Sequence, residues 1–209
     1  MNDDSNEAPG RGSGRRRRTR KAPPRVSAGD FQRAALRHLE RYPSSAAGLR
    51  AVLQRRAQRS HDYHGDENSQ TETEALIEAA VLKMTELGFL DDRRYGQALA
   101  RRLRSRGGSL RKIAAQLHQK GIPSELRDEL LAEAGGSEAE LEAALTYARR
   151  RRLGVYRRND PLKEAEAEPG ESEDNEIADA RRLRRKRELG ALARAGFGFD
   201  IAARVLGGE

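Results

Sequence analysis

Apolar residues recur along this chain at intervals of three and four. Tyr95, Leu99 and Leu103 repeat at every fourth position, and Leu110, Ile113 and Leu117 continue at three and four. Such spacing lays an apolar stripe along one face of a helix. Strands would need runs of β-branched residues, yet no two of Val, Ile and Thr are adjacent anywhere in the sequence. The abundant Ala, Leu, Arg, Glu and Gln fill helices instead. The pattern predicts an all-α protein.

Local signals mark where the helices start. Thr71 with Glu74, and Ser137 with Glu140, have the spacing of a capping box, in which hydroxyl and carboxylate satisfy amides reciprocally. Asp91 is placed as another N-cap, with Leu90 and Tyr95 flanking it as a hydrophobic staple, and Pro43-Ser44-Ser45 opens a helix near 45. A glycine just past a helix can turn left-handed, so that the next residue packs back on the position five before it. That arrangement is available three times: Met84 with Gly88-Phe89, Leu117 with Gly121-Ile122, and Leu192 with Gly196-Phe197. Beyond the last two glycines, Ile122, Leu126, Leu130 and Leu131 match Phe197, Ile201, Val205 and Leu206 at the same spacing, an internal repeat.

These marks predict helices over 31–41, 45–58 and 71–87, then 92–106, 109–120 and 123–134, then 138–152, 177–195 and 199–206. Three helices are too few to bury a full core alone, so neighbouring units must stack in an elongated tandem array of three-helix repeats. The expected division is a disordered basic tail over 1–27, repeat 1 over 28–90 with a polar loop at 60–70, repeat 2 over 91–136, and repeat 3 over 137–209 with an acidic insert at 159–175.

Composition narrows the function. The 209 residues carry 41 Lys+Arg against 33 Asp+Glu, a formal charge of +8, and only 36% are hydrophobic. So little apolar matter suits small helical layers better than one deep core, and the basic balance points to an anionic partner. There is no cysteine, which excludes disulfides and cysteine-ligated zinc. No apolar run approaches the roughly 20 residues that span a bilayer, and the first residues lack the apolar segment of a secretory signal. A cytoplasmic protein without membrane contact is the expectation.

The stretch from Leu87 to Leu131 resembles the central segment of the RecX family, bacterial regulators of the RecA recombinase. The resemblance rests on Phe89-Leu90-Asp91-Asp92, the aromatic Tyr95, the arginine-rich Arg101–Arg106, the helix at Ile113–Leu117 and the closing Lys120-Gly121-Ile122. The segments ALRHLERYPSSAAGLRAVLQRR and LARAGFGFDIAARVL are similar to the family's opening helices and final pair. The chain departs from the family at the 60–70 loop, the acidic insert and the basic tail, and it has Pro123 and Gly198 where a capping Asp or Ser would be usual. The resemblance implies a curved, monomeric three-helix-repeat protein without catalytic residues or cofactor. It also implies a partner, RecA and its filament on DNA, whose recombinase, ATPase and coprotease activities it inhibits in the service of DNA repair and the SOS response.

The candidate partner or DNA-binding residues are cationic. On the helix from Asp92, the face opposite Tyr95, Leu99 and Leu103 holds Arg94, Gln97, Arg101 and Arg104, with Arg106 following. The next helix sends Arg111 and His118 outward, with Lys112 at the flank. Arg149, Arg150, Arg151 and Arg152, with Arg157 and Arg158, form a second block, and Arg181–Arg187 a third. Arginine's planar fork engages carboxylate or phosphate at two points. The tail cluster Arg15–Lys21 could add nonspecific phosphate attraction, and the acidic insert could compete with anionic ligands for either block. His61 and His64 superficially resemble metal ligands, but a loop there would preset no geometry, and no metal site is expected. No Ser-His-Asp set, paired carboxylate or phosphate-cradling loop stands out. Two other readings remain open: a RecA-independent, nonspecific DNA-binding helical protein, and a structural adaptor.

Overall fold

The computed structural model describes residues 22–65, 69–158 and 174–207. Among them are nine α-helices, one 3₁₀ turn and no strand. In chain order these are α1 (Ala28–Leu39), α2 (Ala46–His64), α3 (Gln70–Glu86), α4 (Asp92–Arg104), α5 (Leu110–Gln119), α6 (Ser124–Glu133), α7 (Ser137–Arg151), the 3₁₀ turn Gly154–Tyr156, α8 (Asp174–Arg194) and α9 (Phe199–Val205). The expected disordered tail and the expected acidic insert fall outside the described residues, apart from the last residues of each.

Three hydrophobic cores follow one another, each built by three successive helices. The first buries Phe31, Leu49, Leu53, Ile77, Val81 and Met84, the second Leu99, Ile113, Leu117, Ile122 and Leu130, and the third Ala144, Ala148, Leu192, Phe197 and Val205. Each large apolar side chain taken out of water contributes about 1.5–3 kcal/mol. The repeat legible in the sequence is a repeat of burial. Ile122 and Leu130 are buried in the second core where Phe197 and Val205 are buried in the third.

The glycine-hydrophobic pairs end their helices as predicted. Ile122 N–H donates to Leu117 O (3.1 Å) and Phe197 N–H to Leu192 O (3.1 Å), with Gly121 and Gly196 left-handed at φ 69° and 94°. At α3 the backbone bond forms, Phe89 N–H to Met84 O at 2.9 Å, but the Phe89 ring stays 56% exposed and Leu90 takes the buried place. Leu90 belongs to the first core and Tyr95 packs on the second, so the pair straddles two cores instead of forming a local staple.

Several other local expectations are corrected. The capping box of α3 is Ser69 with Glu72, two residues upstream of Thr71 and Glu74: Ser69 Oγ accepts from Glu72 N–H (3.2 Å) and the Glu72 carboxylate from Ser69 N–H (2.9 Å). Two overlapping boxes cannot both sit at one helix start, and serine caps at least as well as threonine. At α7 the N-cap is Gly136 without a side-chain bond, because Glu140 turns to the preceding unit. The polar loop expected at 60–70 is largely helix, with α2 running to His64. The end of the expected tail, residues 22–27, lies along α2: Pro24 O accepts from Ser60 Oγ (3.2 Å), His64 Nε2 is 2.7 Å from Pro23 O, and Val26 packs on the first core. As the sequence suggested, α6 and α9 start at Pro123 and Gly198 without side-chain caps.

The units are joined by one device used twice. Ser45, the N-cap of α2, accepts from Gly48 N–H (3.0 Å) and donates its own hydroxyl to Lys120 O at the end of α5 (2.6 Å), while Ala46 N–H donates to Asp92 Oδ1 (2.8 Å). Ser109, the N-cap of α5, likewise accepts from Lys112 N–H (3.2 Å) and donates to Ala195 O just past α8 (2.7 Å), while Leu110 N–H donates to Glu140 Oε2 (3.0 Å). The positive end of one middle helix thereby meets the negative end of the next, a favourable alignment of dipoles. Both serines are buried. Ser109→Ala loses the cap and strands the part-buried Ala195 carbonyl, and is expected to cost about 2–3 kcal/mol. Ser69→Ala, at an exposed cap, should cost about 1 kcal/mol. Urea unfolding of the two variants measures the difference.

Candidate binding groove

Where the second and third units meet, an open groove of about 1000 Å³ runs between the start of α5 and the ends of α7 and α8. Six cations line it, Arg106, Arg111, Lys112, Arg150, Arg151 and Arg194, and no carboxylate does among the described residues. Tyr147 and several alanines complete the wall.

Glycine makes the junction close enough to form the groove. At Gly107 (φ 75°) an added Cβ would lie 2.7 Å from Tyr147 N and 2.9 Å from Ala143 O, so the turn after α4 rides directly on the α7 backbone. Arg106, just before that glycine, lines the groove, and its carbonyl accepts from Arg150 Nη1 (2.7 Å). Arg104 pins the joint. Its guanidinium donates to Glu140 Oε2 (2.6 Å), to Gly108 O (3.1 Å) and to Ala134 O (3.2 Å), so a single fork ties α4, the α4–α5 turn, the end of α6 and α7 together. The pair is mostly removed from water, with side chains 16% and 13% exposed.

The cations are poorly explained by stability. Arg111 and Lys112 occupy the first turn of α5, which contains no acidic residue, although a helix N-terminus favours anions. Other arginines of the protein are paired with carboxylates. Arg56 makes a two-point pair with Asp30 (2.5 and 2.7 Å), and Arg50 bonds Glu78 (2.6 Å); these hydrogen bonds raise both guanidinium pKa values. In the groove Arg151 lies over the Tyr147 ring at 5.9 Å, within reach of a cation–π contact.

Five of the predicted cations therefore converge: Arg106, Arg111, Lys112, Arg150 and Arg151. The others do not line the groove. Arg94 and Arg101 are exposed on α4, and Arg152 and Arg158 are exposed near the end of α7. Arg149 lies over Tyr156 at 5.1 Å, and Arg157 is paired with Glu188, whose side chain is buried. Arg104, predicted on an outward cationic face, is turned into the joint instead. Gln97 on the same side bonds Glu133 of α6 (3.0 Å). That face of α4 is shared between solvent and neighbouring helices, which a pattern of apolar positions cannot reveal. Arg194 was missed: it lies outside every basic run, and only the packing of α8 brings it beside α5.

His61 and His64 lie in the last turn of α2, beside a mixed polar cleft of about 780 Å³ that also holds Glu74. Among the described residues no group of three or more His, Asp or Glu side chains could hold a metal ion, and no helix is long and apolar enough to cross a membrane.

Stacked three-helix units with a cation-lined groove at a joint define an all-α protein built of three-helix repeats. Residues 91–131 match the family model for the second three-helix domain of RecX. The chain is 39% identical over 200 residues to the regulatory protein RecX of Myxococcus xanthus, spanning 96% of each, and 30% identical over 173 residues to that of Agrobacterium fabrum, spanning 83% and 79%. The crystal structure of RecX from Lactobacillus salivarius has the same fold, with a TM-score of 0.56 at 17% identity over 86% of this chain and 94% of that one. The chain belongs to the RecX family of regulatory proteins.

Proposed function

We propose that this chain binds the RecA filament on DNA and inhibits its ATP hydrolysis, recombinase and coprotease activities, using the groove between its second and third units as the anionic contact. The observation that supports this reading is six cations facing one groove with no lining carboxylate among the described residues. Like charges gathered this way repel one another, and an anionic surface relieves the repulsion on binding. Arginine forks suit carboxylates on a protein and phosphates on DNA alike. The family relationship favours RecA as the partner, with direct DNA contact secondary and any direct DNA affinity weak and nonspecific. The protein acts as a binder and not as an enzyme, working as a monomer in the cytoplasm.

Titrating the protein into a RecA reaction hydrolysing ATP on single-stranded DNA, well below one copy per RecA, tests this. Strong inhibition at a low ratio is expected. Absence of inhibition, alongside tight DNA binding without RecA that falls steeply with salt, would instead establish a DNA-coating protein.

A further inference from the structure

The end of α7 carries an oddity that packing does not explain. Arg152 adopts a left-handed backbone, φ 56° and ψ 48°, and is the sole non-glycine with positive φ among the described residues. The equivalent turn positions after α3, α4, α5 and α8 are Gly88, Gly107, Gly121 and Gly196. The turn itself is required, because Leu153 N–H donates to Ala148 O (2.9 Å) and the Leu153 side chain folds back onto the third core. A glycine would make that turn without the clash between Cβ and the following carbonyl that a side chain meets there.

The run Arg149–Arg152 is otherwise occupied. Arg149 lies over Tyr156, Arg150 bonds Arg106 O, and Arg151 lies over Tyr147. The Arg152 side chain is exposed and makes no hydrogen bond or ion pair with a described residue. Three arginines in the last turn of α7 already complement the helix dipole, so a fourth adds little there.

We infer that Arg152 is a dedicated contact for the anionic partner, extending the groove past the end of α7, and that its strained backbone is kept for the sake of that guanidinium. This rests on the groove being the partner surface and adds a residue that neither the groove lining nor the helix packing calls for. Strain concentrated at a binding residue is physically reasonable because the rest of the turn, held by Leu153, over-determines its conformation.

The test compares Arg152→Gly, Arg152→Ala and Arg152→Lys in full-length protein, reading both the thermal midpoint and the half-inhibitory concentration against RecA ATP hydrolysis. Arg152→Gly should raise the midpoint by about 1–4 °C, from strain relief partly offset by glycine's unfolded-state entropy. The same variant should raise the half-inhibitory concentration roughly 3–10-fold, the loss of one charge-assisted contact. Arg152→Ala should lose as much inhibition without the stability gain, and Arg152→Lys should restore only part of it, since it keeps the charge and loses the two-point fork. A raised midpoint with unchanged inhibition would overturn the inference, as would a lowered midpoint, which would make Arg152 structural. If the wild-type protein itself fails to inhibit, the groove reading falls first and this one with it.

Discussion

Arg104→Ala should destabilise the protein by about 2–3 kcal/mol, while Arg101→Ala, one turn earlier on the same helix, should change stability by no more than about 0.5 kcal/mol. The estimate for Arg104 lies below the roughly 3–5 kcal/mol seen when a fully buried pair is broken, because this pair keeps some contact with water. The loss has two parts. Glu140 remains a carboxylate with only Leu110 N–H to bind, and the carbonyls of Gly108 and Ala134 lose their guanidinium partner. Glu140→Gln should cost less, about 1–2 kcal/mol, since an amide oxygen can still accept from Leu110 N–H. Urea unfolding of the three variants measures the order. Reversing charge at Arg104 would set two carboxylates against each other at the joint, so that variant reports on folding and not on the binding surface.

The contrast between Arg101 and Arg104 shows what the sequence could carry. Helix ends were legible because their signals are local: Leu117, Gly121 and Ile122 determine one another through bonds within six residues. The repeat between 122–131 and 197–206 was legible for the same reason. N-caps were readable to within a turn, as Ser69 displacing Thr71 illustrates. Glu140 sits where a capping box would place it, but two long-range partners outcompete the local one. A helical wheel identifies the face of α4 that fills its own core, and it has no means of seeing that Gln97 bonds α6 or that Arg104 reaches across to α7. The groove was legible only as separate basic runs. Its walls come from segments some 40–80 residues apart, and Gly107 and Ser109, which bring them together, carry no charge to draw notice.

The largest functional effect is expected from Arg111→Glu combined with Lys112→Glu. Both residues occupy the first turn of α5, where glutamate complements the helix dipole, so the fold should hold or gain about 0.3–1 kcal/mol per site. Neither side chain has a carboxylate partner to abandon among the described residues, and both point into the groove lining. Reversing two of six cations removes attraction and adds repulsion, and affinity for an anionic partner should fall roughly 30-fold or more at low salt. The difference should shrink as ionic strength rises, because exposed charges are screened beyond about 8–10 Å. Inhibition measured at two salt concentrations, with circular dichroism to follow helicity, separates a binding defect from a folding one.

The most direct measurement is RecA's DNA-dependent ATP hydrolysis, titrated at low salt with wild-type protein and with this double variant, each below one copy per RecA. Strong inhibition by the wild type and its loss in a fully helical variant is the expected result. Undiminished inhibition by the variant would contradict the groove between the second and third units as the surface that meets RecA.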